Sequence, residues 1–507
     1  MRHLLQGLAA NPALPPAFVA RLVAFAVGEG AEEGGWVDSA LSDRADLSRE
    51  QALALAAHRG ILAVGPVRRG VLRADDIDPR ALPDAALALL DEGLGLPHWP
   101  ALLVTDTDSD RRRKLAFCPG LPPEVAALLA ADHQLDVVSG LALYGTPDPA
   151  TAALLAAHPH AEVRLMTALN ENEAVPPALL SALLTGEGLP PASECSVCEK
   201  DPELRWWQPY VRSGAACDGS HRSTVQDTRQ AALANPSTPA DDVARFAGDP
   251  SMLLRERVAA RAGLPQRVYA ELARDPMPGV LWALAGNPGT GEAVIRELAG
   301  VRDPEVLSRL IRHPRLPLDL LAGPVGRARA GREPLPRIAA ATEAEVDRLA
   351  ASAEAGVRAL VARRRDLPPA VRDALAADPD AKVVKAVASH PGLGEDRLRA
   401  MAARHGVAVL AQVAANPDAP GALLEELVRH DPPVLGVLRA VARHPNATGP
   451  ALLGCLADVR ARRHAAAHPA LPARELPRLL DDPDWQVVEA AAAHPALPLA
   501  VMRDSMP

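Results

Sequence analysis

Apolar positions along this chain come in short paired stripes divided by polar breaks. The pattern is plainest between Asp378 and His405. Val383, Val384, Val387 and Ala388 fall at i, i+1, i+4 and i+5, one face of a helix. His390-Pro391-Gly392 then stops it, because proline disfavours the α conformation in the residue before it and glycine relaxes the turn. Leu398, Met401 and Ala402 share one side of a second short helix. Asp378 is expected to cap the first helix by accepting from the free N–H groups of its first turn. Pro379 is expected at the first helical position, where no N–H is needed. The unit is helix, proline-bearing turn, helix.

The unit recurs. With the residue before the turn proline as a marker, the series runs Asn235, Asn287, His313, His390, Asn416, His444, His468, His494. His313 follows Asn287 by 26 residues, as Asn416 follows His390 and His494 follows His468. His444 comes two residues late, and His468 restores the phase. Degenerate copies fall near Ala339 and Arg364. A fixed period of this size marks stacked repeats, since no single helix pair buries its own apolar face. The pattern therefore predicts an all-α fold, an α-solenoid of two-helix repeats about 26 residues long. Residues 1–103 are the least regular and are expected to be divergent capping repeats. Asn11-Pro12-Ala13-Leu14-Pro15 is one good turn there, with fainter copies near Arg44, Arg69 and Gly93. Repeats are expected over 104–187 and again over 224–507, where Gly323 to Arg337 reads as a longer loop that keeps the phase.

Composition sharpens this picture. Of 507 residues 48% are hydrophobic but only 3% aromatic, so the core must be Ala, Leu and Val, small enough for short helices to pack closely. The 50 prolines would suggest disorder if scattered; here they stand at repeated turn and helix-start positions. A net charge of −9 argues against nucleic acid and anionic membrane as partners. No stretch approaches the length of a membrane-spanning helix, and the N-terminus enters the repeat pattern without a signal-peptide core. A cytoplasmic protein is expected.

The period breaks once. Asn170 and Asn235 are separated by far more than one repeat, and the surplus, residues 188–223, holds three of the five cysteines. Cys195 and Cys198 form C-x2-C, which lets two thiolates converge on one metal; Cys217 and His221 form C-x3-H, which completes four ligands. Thiolate and imidazole suit zinc or an iron–sulfur cluster, not Mg²⁺ or Ca²⁺. The segment has little apolar material, so a bound metal would supply order that packing cannot. Zinc is the expected cofactor, with an iron–sulfur cluster as the alternative. A disulfide runs against the expected compartment.

Two resemblances add to this. Cys217-Asp218-Gly219-Ser220-His221 resembles the CDGSH iron–sulfur proteins, whose [2Fe–2S] cluster is held by three Cys and one His; that resemblance makes Cys217 and His221 the third and fourth ligands. The repeats, with Asn-Pro turns, short Leu-rich helices and openings such as Glu162-Val163-Arg164, resemble the leucine-rich repeat variant family, a HEAT-like α-solenoid, over nearly the whole chain outside the insertion. The resemblance implies a right-handed superhelix and, in one architecture of that family, a cysteine-ligated iron–sulfur module attached to the repeats.

Two polar columns carry the remaining chemistry. His158, His313, His390, His444, His468 and His494 occupy equivalent positions. Stacked helices hold such positions about 10 Å apart, too far to share a metal, so turn capping is the expected role. Six residues before the marker stand Arg112, Arg164, Arg229, Arg255, Arg358 and Arg462. They read either as half-buried arginines with stems on the core and heads in water, or as a stripe of guanidiniums able to bind acidic peptide or phosphate. The second reading makes these six the candidate partner-binding residues. No nucleophile–base set, phosphate loop or carboxylate pair stands out, and Gly286-Asn287-Pro288-Gly289-Thr290-Gly291 sits on a repeat turn. The leading expectation is a non-catalytic scaffold for a protein or peptide partner, carrying a metal-stabilised module. An iron–sulfur redox or metal-sensing protein is the alternative; nucleic-acid binding through the arginine column with Trp206 and Trp207 ranks third.

Overall fold

A computed structural model of the chain describes residues 2–28, 36–172, 175–190, 192, 222–331 and 334–507. Among these every regular element is a short α- or 3₁₀-helix, and successive helices pair into repeats. Two compact units emerge: Ala56–Pro317, and Leu318–Pro507 together with Met1–Leu55.

The repeat around Asp378 shows how sequence becomes structure. Its first helix, Ala381–Val387, buries Val383, Val384 and Val387. Gly392 follows at φ 80°, a left-handed turn that glycine adopts without steric strain. The second helix, Glu395–His405, buries Leu398 and Met401. The cap differs from expectation. Asp380, not Asp378, accepts from the Lys382 N–H, and Pro379 lies outside the helix. Asp378 instead holds Arg358 through both carboxylate oxygens while accepting from the Asp380 N–H. The Asp-Pro start does occur at Asp148-Pro149 and Asp303-Pro304, where aspartate caps and proline opens the helix.

The marker residues join each repeat to the one before. Asn416 donates from Nδ2 to the carbonyls of Ala388 at 2.7 Å and His390 at 2.6 Å, while its Oδ1 accepts from the Asp418 N–H. Histidine does the same with its ring. His444 Nδ1 accepts from the Asn446 N–H, and Nε2 donates to the Asn416 carbonyl at 2.7 Å. That pattern requires the neutral tautomer with its proton on Nε2. His468 and His494 bind the carbonyls of His444 and His468 in turn. These acceptors lie just past the end of a first helix, where backbone carbonyls have no partner within the helix.

In Ala56–Pro317 the same bonds recur at Asn170, Asn235, Asn287 and His313. Asn235 reaches the carbonyl of Asn170 itself, at 2.7 Å across 65 residues. The repeats on either side of the long insertion are thus direct neighbours.

In the other unit the series runs on past His494. Asn11 donates from Nδ2 to the carbonyls of Ala492 and His494, both at 2.9 Å. The helix Arg2–Ala10 packs on Trp485–Ala492. The helices approach closely at Gly7, where a Cβ would sit 2.4 Å from the Glu489 carbonyl oxygen. Arg44 then donates to the carbonyls of Ala9 and Asn11. The first repeat follows the last in the stack.

Replacing Asn416 by Ala leaves two buried carbonyls without their donor. The expected loss is about 2 kcal/mol, read as a lowered urea-unfolding midpoint. Asn416→His, which copies the neighbouring markers, is expected to lower it less.

Candidate functional site

The arginines of the second column lie on first helices and reach toward the next repeat. On Ser109–Phe117, Arg112 Nε meets Asp132 Oδ2 at 2.6 Å, with both side chains only 8% exposed. Arg255 and Asp275 at 2.6 Å, and Arg358 and Asp378 at 2.7 Å, form the same two-pronged pair. Arg462 reaches Asp482 at 2.7 Å. In all four the aspartate lies 20 residues on, just ahead of the next first helix. A further donor goes to the carbonyl six residues back, that of Asp106, Asp249, Ser352 or Leu456. The hydrogen bond from Arg358 holds the Asp378 carboxyl below its ordinary range, and Arg255 does the same to Asp275. Forked arginine–carboxylate pairs are among the stronger polar contacts, and here they tie repeat to repeat. Arg439 adds another such tie, 3.0 Å from Asp458.

Two members of the column differ. Arg229, on Arg222–Ala234, is half-buried. Arg164, on Ala161–Leu169, is buried and donates to three carbonyls, those of His158, Pro190 and Ala157.

His313, His444, His468 and His494 of the histidine column belong to the inter-repeat ladder already described, and burial sets the chemistry of the column. His390 is 1% exposed; desolvation, helped by the charge of Arg365, lowers its pKa to about 4. His313 is lowered as well, burial outweighing its bond to the Asn287 carbonyl. Cys118 stands at a marker position with its thiol toward the carbonyls of Leu87 and Lys114. Burial pushes that thiol up to about 12, and Cys455 likewise. Neither supplies a thiolate at neutral pH.

Cys195, Cys198, Cys217 and His221 lie outside the described residues, as do Trp206 and Trp207. Among the described residues no group of three or more His, Cys, Asp or Glu is placed to hold a metal. No helix among them is long and apolar enough to cross a membrane. Among the described residues, Ala56–Pro317 holds a pair of notable clefts. One, of about 580 Å³, is lined in part by Arg59, Asp84, Arg111, Lys114 and Phe117. Asp84 there takes both Arg111 at 3.1 Å and Lys114 at 3.2 Å. The other, of about 320 Å³, has Arg164 in a largely apolar wall.

Reasoning from sequence finds the arginines but not their acids, although a constant spacing of 20 residues to an aspartate is visible in the chain. It also misses the bond of Asn11 to the last repeat, for which no local signal exists. The cluster of Asp84, Arg111 and Lys114 is hidden because its members come from different repeats.

No protein-family model matches the chain, and no curated protein matches it. Among solved structures it is similar to a leucine-rich repeat variant described as having a novel repetitive structural motif. The identity is 20%, over 53% of this chain and 88% of that one, with a TM-score of 0.28. It is also similar to an engineered protein at 16% identity, over 96% of this chain and 99% of that one, with a TM-score of 0.15. Both likenesses are too loose to bear on fold or function, which rest on the geometry above.

Two outcomes are expected from the columns. His390 titrates near 6.5 when unfolded and near 4 when folded, so the fold favours the neutral ring. Its contribution to stability is whole above 6.5 and is lost progressively as pH falls toward 4. His390→Asn, which keeps a marker side chain without the titration, is expected to flatten the dependence of the urea midpoint on pH over that window. Arg358→Leu leaves the buried Asp378 without its cation and is expected to cost about 3 kcal/mol. The double variant Arg358→Leu with Asp378→Asn is expected to recover much of the loss in the same denaturation experiment.

Proposed function

We infer that the chain is a non-catalytic scaffold presenting stacked repeats to a protein or peptide partner, and that residues 188–223 form a metal-stabilised module attached to it. The bond from Asn235 to the carbonyl of Asn170 carries this reading. The stack is closed across the insertion by the same contact that joins uninterrupted repeats. The marker bond between the flanking repeats does not pass through the insertion, which leaves the insertion available for a separate task.

The spacing of Cys195, Cys198, Cys217 and His221 suits zinc, with an iron–sulfur cluster as the alternative. A cytoplasmic setting would keep those thiols reduced. The resemblance to the leucine-rich repeat variants extends the proposal to a right-handed turn of the array. The absence of a catalytic role is supported by the polar side chains of both columns, most of which are engaged in inter-repeat contacts, as with Arg112 on Asp132 and His444 on the Asn416 carbonyl.

The test is metal content and visible spectrum of protein purified without oxygen, beside a Cys217→Ser variant. The expected result is one zinc per chain, lost in the variant, with helical circular dichroism and urea midpoint nearly unchanged. Iron with sulfide and a brown colour would put a redox or sensing role in front. No metal in the unaltered protein would remove the module. For the scaffold, a protein recovered with the chain and remade pure should bind it saturably in calorimetry. Nucleic acid bound at low salt with a steep salt dependence would replace that reading.

A further inference from the structure

One position in the arginine column is built for an ion pair and, among the described residues, has no acid beside it. Arg112, Arg255, Arg358 and Arg462 each hold an aspartate 20 residues on. The repeat that carries Arg164 is the one followed by the insertion. Twelve residues before the next marker, where other repeats have Asp275, Asp378 and Asp482, the chain has Ser223. Arg164 nonetheless remains, 9% exposed. Its Nε donates to the His158 carbonyl at 2.6 Å, Nη1 to Pro190 at 2.6 Å and Nη2 to Ala157 at 3.2 Å. A guanidinium has five N–H donors, so two remain after these three bonds to described residues. The nearest acid in sequence, Glu162, is buried and lies 2.6 Å from His160 instead.

Carbonyl dipoles soften the burial of a cation but do not neutralise it, and a buried charge without a counter-charge is costly. Desolvation lowers the Arg164 pKa, in contrast to Arg112, Arg255 and Arg358, whose aspartates raise theirs. The guanidinium also forms part of the wall of the 320 Å³ cleft, whose other sides include Ala182, Leu183, Leu189 and Val225. A cleft with apolar walls and one convergent charged group is the usual form of a small-ligand site.

We propose that this cleft binds a monoanionic carboxylate carried on a short aliphatic body, the carboxylate taking the role that aspartate plays in the sister repeats. One cation matches one negative charge, which selects a carboxylate over a phosphate dianion. The planar fork of N–H groups suits two carboxylate oxygens, and the apolar walls suit an aliphatic chain. The site stands independently of the scaffold reading and of any metal.

Calorimetric titration of the full chain with hexanoate tests it, with hexanol as the uncharged counterpart. The expected result is saturable binding of hexanoate and none of hexanol. Arg164→Gln is expected to weaken hexanoate roughly tenfold or more. Ala182→Phe, which fills the cleft from its apolar side and leaves the guanidinium in place, is expected to abolish binding, and it decides the matter if Arg164→Gln does not fold. Helical circular dichroism checks both variants. Absence of saturable hexanoate binding, equal binding of hexanol, or unchanged affinity in either folded variant would overturn the proposal.

Discussion

Most joins in this array depend on one bond, from a marker side chain to a backbone carbonyl at the end of a helix in the preceding repeat. A protein made of very short helices has many helix ends, and each leaves carbonyls with no partner of its own. Burying those ends between repeats would be prohibitive without a donor aimed at them. Asparagine and histidine both solve the problem because each carries a donor and an acceptor a fixed distance apart. The acceptor takes the N–H two residues on and sets the turn, as Asn416 does with Asp418; the donor crosses to the neighbour. Where the marker is degenerate the bond is still made by other means. Arg364 reaches the carbonyls of Ile338 and Ala341. Arg261 likewise reaches the carbonyls of Pro236 and Thr238.

The arginine–aspartate pairs are a second tie between the same neighbours, placed at the opening of the first helix where the ladder is at its close. Two contacts at the two ends of one short helix fix its direction as well as its position. That matters in a core of Ala, Leu and Val, whose small side chains interlock less specifically than large aromatic ones. The alternation of Arg with Leu or Val at this column, as at Leu410 and Val384, shows that the position tolerates either an ion pair or simple apolar burial. Replacing buried ion pairs by apolar groups is often neutral for stability.

The all-helical repeat fold was legible in the chain because period, turn proline and apolar stripe agree at every copy. Individual roles were less so. Asp378 has the sequence of a helix cap, yet Asp380 does that work, since a carboxylate 20 residues after an arginine meets a stronger attraction than the N–H groups of a helix end. The six arginines were visible as a column, but whether they face water or a neighbour depends on the orientation of the stack. For Arg112, Arg255, Arg358 and Arg462 the neighbour supplies the acid. Arg164 stands out only by comparison with these sisters, once the missing aspartate can be set beside a real cleft.

The contact between Asn11 and the last repeat has a kinetic meaning. Nearest-neighbour repeats let a chain fold as it emerges, each unit closing on the one before it. Asn11, however, donates to a carbonyl 483 residues away. At synthesis rates of roughly 5–20 residues per second, that partner arrives about 25–100 s after Asn11 itself. During that interval Leu5 and Leu8, both fully buried in the finished molecule, have no second surface to meet. The helix Arg2–Ala10 thus cannot finish folding until the repeat of Trp485–Ala492 has been made, and it is a surface that a ribosome-bound chaperone would need to shield for that interval.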